Sequence, residues 1–194
     1  YGEGDYTDSE KVIQKLLAEA NGGPVSDASA AVEGMGAEAA PDQDNLRSGE
    51  TYIGYAKAGN FVSPGGIKKD QPHLYGPAPA LPVNYWDLAG TWTVGNEFAT
   101  LAEPGGRIAH RFHARDLHVV LAPSSPDHPV RFRITIDGKP PGADHGADVD
   151  AEGWGILRAD RLYQLVRQQG PVGDRTFAIE FFDAGVRAYA FTFG

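Results

Sequence analysis

The chain has 194 residues, 41% hydrophobic and 22% charged, which suits one globular domain with additional segments and not a disordered polymer. It contains no cysteine, which excludes a thiol nucleophile, a disulfide framework, a Cys-ligated zinc or iron–sulfur centre and dithiol redox chemistry within these residues. The net charge of −9 is uneven: residues 1–50 carry eleven acidic and three basic side chains, a net of −8, so the near-neutral remainder has no field to attract a polyanion and nucleic acid is not an expected partner.

No apolar run approaches the roughly 20 residues of a membrane span, so no membrane insertion by these residues is expected, and no signal peptide is visible. In chain order, Thr7-Asp8-Ser9-Glu10 has capping-box spacing. Val12, Ile13, Leu16, Leu17 and Ala20 then recur on one helical stripe, and Gly22-Gly23-Pro24 stops the helix. With no neighbouring element to cover that stripe, residues 1–21 read as the last helix of a domain whose remainder is missing. Residues 22–50 are rich in Ala, Gly and acid and read as a linker. In residues 51–82 the anchors Tyr52, Ile53, Tyr55, Phe61 and Ile67 are interrupted by Gly and Pro. That is the spacing of a segment wrapped over another surface, with a strand around Thr51–Tyr55.

Residues 83–194 read as a β domain. Trp86–Val94 is a strand or strand pair. Glu97–Leu101 and Arg107–Ala114 flank a Pro104-Gly105-Gly106 turn, and Leu117–Leu121 follows a break at Arg115-Asp116. Val130, Phe132, Ile134 and Ile136 alternate with Arg131, Arg133 and Thr135, the period of a half-buried strand. Trp154–Leu157, Leu162–Arg167, Phe177–Phe182 and Ala188–Phe193 complete eight to ten short strands. The expected fold is mainly β: a jelly-roll-type antiparallel β-sandwich preceded by one N-terminal α-helix and a long irregular linker.

No catalytic constellation is legible. There is no Gly-x-Ser-x-Gly elbow, no phosphate-cradling glycine loop and no carboxylate pair identifiable from spacing. His110 and His113 are three apart in a strand and face opposite sides, so a shared metal is not expected. Asp148-x-Asp150-x-Glu152-Gly153 resembles the opening of a calcium loop, but Ala159 stands where its closing carboxylate belongs, and an Asp-rich turn explains the same letters. No metal or other cofactor is therefore expected, with Asp148, Asp150 and Glu152 the weak calcium candidates.

Arg107, Arg111, His113 and Arg115 share one strand face, as do Arg131 and Arg133. They form either an anion-holding patch or cross-strand pairs with acids. Among the aromatics, Trp86 and Trp92 read as core, while Trp154 and Tyr163 are candidates for stacking a sugar. The candidate ligand-binding residues are therefore Trp154, Tyr163, Arg111 and Arg115.

Four stretches carry a family resemblance: Asn84-x-Trp86-x-Leu88-x-Gly90-x-Trp92, Gly106-x-Ile108-x-x-Arg111-Phe112-x-Ala114-Arg115-Asp116-Leu117-His118, Arg161–Arg167 and Ala188–Gly194. They resemble the C-terminal domain of DipZ-type thiol–disulfide proteins, as do Glu50–Ala56 and, for the family's preceding thioredoxin-like domain, Tyr1–Tyr6 with the helix after it. The resemblance implies an extracytoplasmic parent in which a thioredoxin-like domain with a Cys-x-x-Cys pair precedes a sandwich similar to carbohydrate-binding modules. That core and its cysteines are absent here, so no redox residue carries over and the chain reads as a C-terminal fragment. The implied function is a non-catalytic accessory module that binds a carbohydrate or another envelope ligand. The alternative is a structural module that packs on the parent's thioredoxin-like domain and positions protein substrates, binding no small molecule. The first helix is a further candidate contact for a homodimer.

Overall fold

The computed structural model describes residues 6–23, 34, 36 and 39–194, in two compact units, Tyr1–Gly34 and Met35–Gly194. The first unit contains helix α1 (Tyr6–Asn21), which ends on Gly22 at φ +67°, the left-handed stop expected of the glycine pair. Its start departs from the expectation. Thr7 already lies inside the helix, and the Glu10 carboxylate accepts from the Gln14 amide at 3.0 Å, so Thr7 and Glu10 do not form the capping box. Ile13, Leu16 and Leu17 of the apolar stripe are exposed. The Tyr1–Asp5 motif, Pro24 and much of the stretch read as a linker lie outside the described residues.

The second unit holds β1 (Thr51–Tyr52), β2 (His73–Tyr75), β3 (Trp86–Val94), β4 (Ala99–Leu101), β5 (Gly106–His113), β6 (Asp116–Ala122), β7 (Val130–Ile136), β8 (Trp154–Leu157), β9 (Arg161–Arg167), β10 (Asp174–Phe181) and β11 (Arg187–Phe193). Strands β4 to β11 form the expected jelly roll, with β5-β10-β7-β8 as one sheet and β4-β11-β6-β9 as the other. Alternation along β7 decides which side faces in: Val130, Phe132, Ile134 and Ile136 are buried, while Arg131, Arg133 and Thr135 turn outward.

Strand β3 belongs to both sheets. Trp86–Ala89 pair with β5, and Trp92–Val94 pair with β4. The change of partner falls at Gly90, whose φ of +94° favours glycine. A Cβ there would lie 2.9 Å from the Cα of Gly106, and a Cβ on Gly106 would meet the Leu101 side chain. Two glycines therefore let the corner close. Strand β2, which the sequence did not announce, pairs with β3, and β1 pairs with β11. Residues 51–82 also send Ile53 and Tyr75 into the core. Packing begins still earlier: Arg47 donates its N–H to the His113 carbonyl, and the Ser48 hydroxyl is held by Asn84 at 2.6 Å and the His113 N–H at 2.8 Å.

Rings from the two sheets meet in the middle. Trp92 packs on Phe181 with centroids 6.0 Å apart, Phe177 on Phe191 at 6.1 Å and Phe132 on Tyr163 at 6.5 Å. Trp86 and Trp92 are fully buried, each donating its indole N–H to a carbonyl, of Gly59 and Ala89 respectively. Truncation of either indole removes a large buried ring and orphans a carbonyl acceptor. Trp86→Ala and Trp92→Ala are each expected to lose about 3–5 kcal/mol of unfolding free energy, measured by urea denaturation.

His110 is the polar residue of β5 that faces inward. It is fully buried, lies 4.9 Å from the Phe191 ring and 5.3 Å from Phe193, and has Nε2 3.2 Å from the Thr51 hydroxyl. Burial holds its imidazole well below the ordinary 6.5, at about 4. Above pH 6.5 the ring is neutral whether the chain is folded or not. As pH falls from 6.5 towards 4, the unfolded chain takes up a proton that the folded one resists, so stability declines, and below about 4 this contribution levels off. The loss is about 3 kcal/mol from this residue. Burial lowers His118 as well and adds in the same direction. The measured slope of unfolding free energy against pH in this window is expected to flatten in His110→Phe.

Candidate functional site

The outer face of the β4-β11-β6-β9 sheet carries a concavity, a groove of about 360 Å³. It forms because β1 lies in register on β11, Tyr52 opposite Ala190 and Thr51 opposite Phe191. Tyr52 and Tyr189, which are 137 positions apart in sequence, thus line the same space, together with Lys57, Asn96 and Glu97. The polar wall is fixed by backbone: Tyr55 N–H donates to the Gly95 carbonyl at 2.9 Å and Ala56 N–H to Asn96 at 3.0 Å. Gly54 permits this approach, since a Cβ there would overlap the Glu97 backbone at 2.2–2.5 Å.

Both tyrosine rings are positioned. The Tyr52 hydroxyl donates to Glu50 at 2.6 Å, and this hydrogen bond to a carboxylate raises its pKa above the ordinary value, keeping the phenol neutral. The Lys57 ammonium stands 4.6 Å from the Tyr52 ring centre. Tyr189 packs against Phe98 at 5.0 Å. The groove therefore combines two half-buried rings with an amide, a carboxylate and an ammonium.

The four candidate ligand residues do not assemble. Trp154 is 44% exposed on β8, packed on Phe182 at 5.1 Å. Tyr163 departs from the expected platform. It is 1% exposed, its hydroxyl donates to the Ala159 carbonyl and accepts from the Arg158 and Ala159 N–H groups, and the Arg161 guanidinium covers its ring at 3.8 Å. Arg111 faces Asp174 at 3.5 Å. Arg115 grips the buried Asp116 and the Ala40 carbonyl, and Arg167 holds the same carboxylate from the other side.

The outer arginine faces follow the cross-strand reading in most positions. Arg107 meets Asp87 at 3.5 Å, His113 meets Asp174 at 2.7 Å and Arg131 meets Asp183 at 2.9 Å. His110 and His113 lie on opposite faces of β5, as their spacing requires. In the acidic loop, Asp148 is bound by Arg161 and by the Gln164 N–H. Asp150 accepts from the N–H groups of Glu152 and Trp154, closing its own turn, and Glu152 offers its carbonyl to Arg133. These carboxylates of Asp148 and Asp150 thus have protein donors. The segment also runs beside β9, where Gly146 N–H donates to Leu165 and Asp148 N–H to Gln164.

Residues 48–194 match the family described as thioredoxin like C-terminal domain, and the chain belongs to that family. The matched region begins at Ser48, the residue that fastens the entering strand segment to β5. Among curated relatives, Protein DipZ of Mycobacterium tuberculosis and of Mycobacterium bovis are each 28% identical over 142 residues, 72% of this chain and 19% of the relative. The chain thus spans about a fifth of the length of these relatives.

Solved structures give partial overlaps. A family two carbohydrate esterase from Clostridium thermocellum, in complex with cellohexaose, aligns at TM-score 0.38 and 15% identity over 50% of this chain and 27% of that one. CsCBM6-3 from Clostridium stercorarium, in complex with cellobiose, aligns at 0.31 and 10% over 55% and 75%. Overlap this slight bears on neither ligand nor chemistry.

Sequence reading missed the Tyr52–Tyr189 groove. Both residues fall in stretches that carry the family resemblance, but only the β1–β11 register joins them. Because Gly54 sets the distance between the two walls, Gly54→Ala is expected to cost about 1–3 kcal/mol and to distort the groove. Thermal unfolding, together with amide shifts confined to residues 52–57, 95–97 and 189–190, would check it.

Proposed function

We propose that this domain is a non-catalytic accessory module of a longer, envelope-side thiol–disulfide protein, and that it holds a carbohydrate in the Tyr52–Tyr189 groove. The observation that carries the reading is the composition of that groove: two positioned tyrosine rings beside Asn96, Glu97 and Lys57 in about 360 Å³. The C–H faces of a sugar stack on aromatic rings, while amide, carboxylate and ammonium groups bond its hydroxyls. The space suits one or two sugar rings. With no cysteine in the chain, thiol exchange in the longer protein rests on other residues. Helix α1 is then the last helix of the preceding thioredoxin-like domain, its Ile13–Leu17 stripe turned towards that domain or towards a second copy.

Calorimetric titration of the chain with cellohexaose and with a chitin-derived oligosaccharide tests the groove. Saturable binding is expected with at least one of them, weakened about tenfold or more by Tyr52→Ala or Tyr189→Ala. If no oligosaccharide binds, or if binding ignores both substitutions, the module is one that packs on its partner domain without a small ligand.

A further inference from the structure

The opposite face of the sandwich carries a second, smaller concavity, built on the β5-β10-β7 sheet. Glu180 of β10 stands in register between Arg107 of β5 and Arg133 of β7, and in the next row Ala178 stands between Ala109 and Thr135. Long charged side chains in one row and small ones in the next leave a depression of about 140 Å³, lined by Arg107, Arg133, Thr135, Ala178 and Glu180.

Arg133 is the unusual member. Arg111 and Arg131 of this face each close on an aspartate, and Arg107 has Asp87. Arg133 instead donates Nε to the Glu152 carbonyl at 3.0 Å and lies 5.3 Å from the centre of the Trp154 ring. Its guanidinium is thereby fixed in place, with no carboxylate partner among the described residues and its terminal nitrogens unused. The support is itself rigid. Asp150 ties the 150–154 turn, and Gly153, at φ +86°, lies so close to the Ile134 carbonyl that a Cβ would approach it to 2.3 Å. Glu180 is exposed and likewise unpaired among the described residues.

We propose that this depression binds a small hydroxylated carboxylate of the hexuronate class. The ligand carboxylate pairs with the free edge of the Arg133 guanidinium, with Arg107 as the second cation across the floor. The sugar hydroxyls donate to Glu180 and exchange hydrogen bonds with the Thr135 hydroxyl. Glu180 disfavours a bare anion, because an ion without hydroxyls meets its charge and gives it no donor. The volume is well below that of a drug-sized pocket, so the site takes a single ring. It is independent of the tyrosine groove, which lies on the other sheet.

The test is an NMR titration of the whole chain with sodium glucuronate, with glucose and sodium acetate as the comparison probes. Glucuronate is expected to give saturable shifts at Arg133, Thr135, Ala178 and Glu180 that weaken with added salt, and to bind about tenfold or more tighter than glucose or acetate. Arg133→Gln is expected to lower its affinity about tenfold or more, while Tyr189→Ala leaves it unchanged. Should Arg133→Gln disturb folding, Ala178→Leu fills the floor while keeping every charge and is expected to abolish the shifts. Absence of saturable shifts with glucuronate overturns the proposal. So does acetate binding as well as glucuronate, and so does retained glucuronate affinity in Arg133→Gln or Ala178→Leu.

Discussion

The arrangement depends on the approach of two glycines. At Gly90 and Gly106 the backbones of β3 and β5 come close enough that a single added Cβ would lie 2.9 Å from its neighbour. This contact lets β3 leave the β5 sheet and join β4 within one continuous strand. Trp86 and Trp92 sit on either side of the crossing, so one nine-residue segment supplies a large ring to each half of the core. The tyrosine groove needs β11 beside β1, and the arginine depression needs β10 between β5 and β7.

Buried polarity is not confined to His110 in the core; it also marks the ends of strands. Asp116 is the clearest instance. It is 2% exposed, held by Arg115 and Arg167, and its own backbone exchanges hydrogen bonds with Gly194. A buried carboxylate with two guanidinium partners is costly to desolvate and costlier still to leave unpaired. Such a group specifies which strand ends meet. Arg115 extends the same clasp to the Ala40 carbonyl, drawing residues ahead of the sandwich against it.

The strands legible in the sequence were those where side-chain alternation and turn residues agree. Strand β7 has strict alternation, and its bounds fall where the pattern places them. Strand β3 has the bounds Trp86–Val94 at which the sequence places a strand or strand pair. Strand β2 was not, because three residues give too little period to register. Tyr163 was misjudged for a related reason: Leu162 to Val166 is nearly all apolar, so no alternation says which face each residue takes, and the ring went to the core. The acid partners of the arginine face were foreseeable as a type, since half-buried strands bring opposite charges together. That Arg133 would be left without one among the described residues was not, because its place is taken by a backbone carbonyl 19 positions away and an indole of the same turn. The Tyr52–Tyr189 groove depends on register between distant segments, and register has no local signature.

The turn segment from His145 to Gly153 has a consequence for how this domain behaves among its neighbours. Jelly rolls end in bare strands, and an unpaired strand edge is a template on which another chain can assemble. Here the chain lays its own backbone along β9 and folds the Asp150 turn over the start of β8, which is only four residues long. The turn that steadies Arg133 is therefore also a guard rail. By taking the Leu165 and Gln164 carbonyls it occupies part of the β9 edge, groups on which a strand of another copy could otherwise pair.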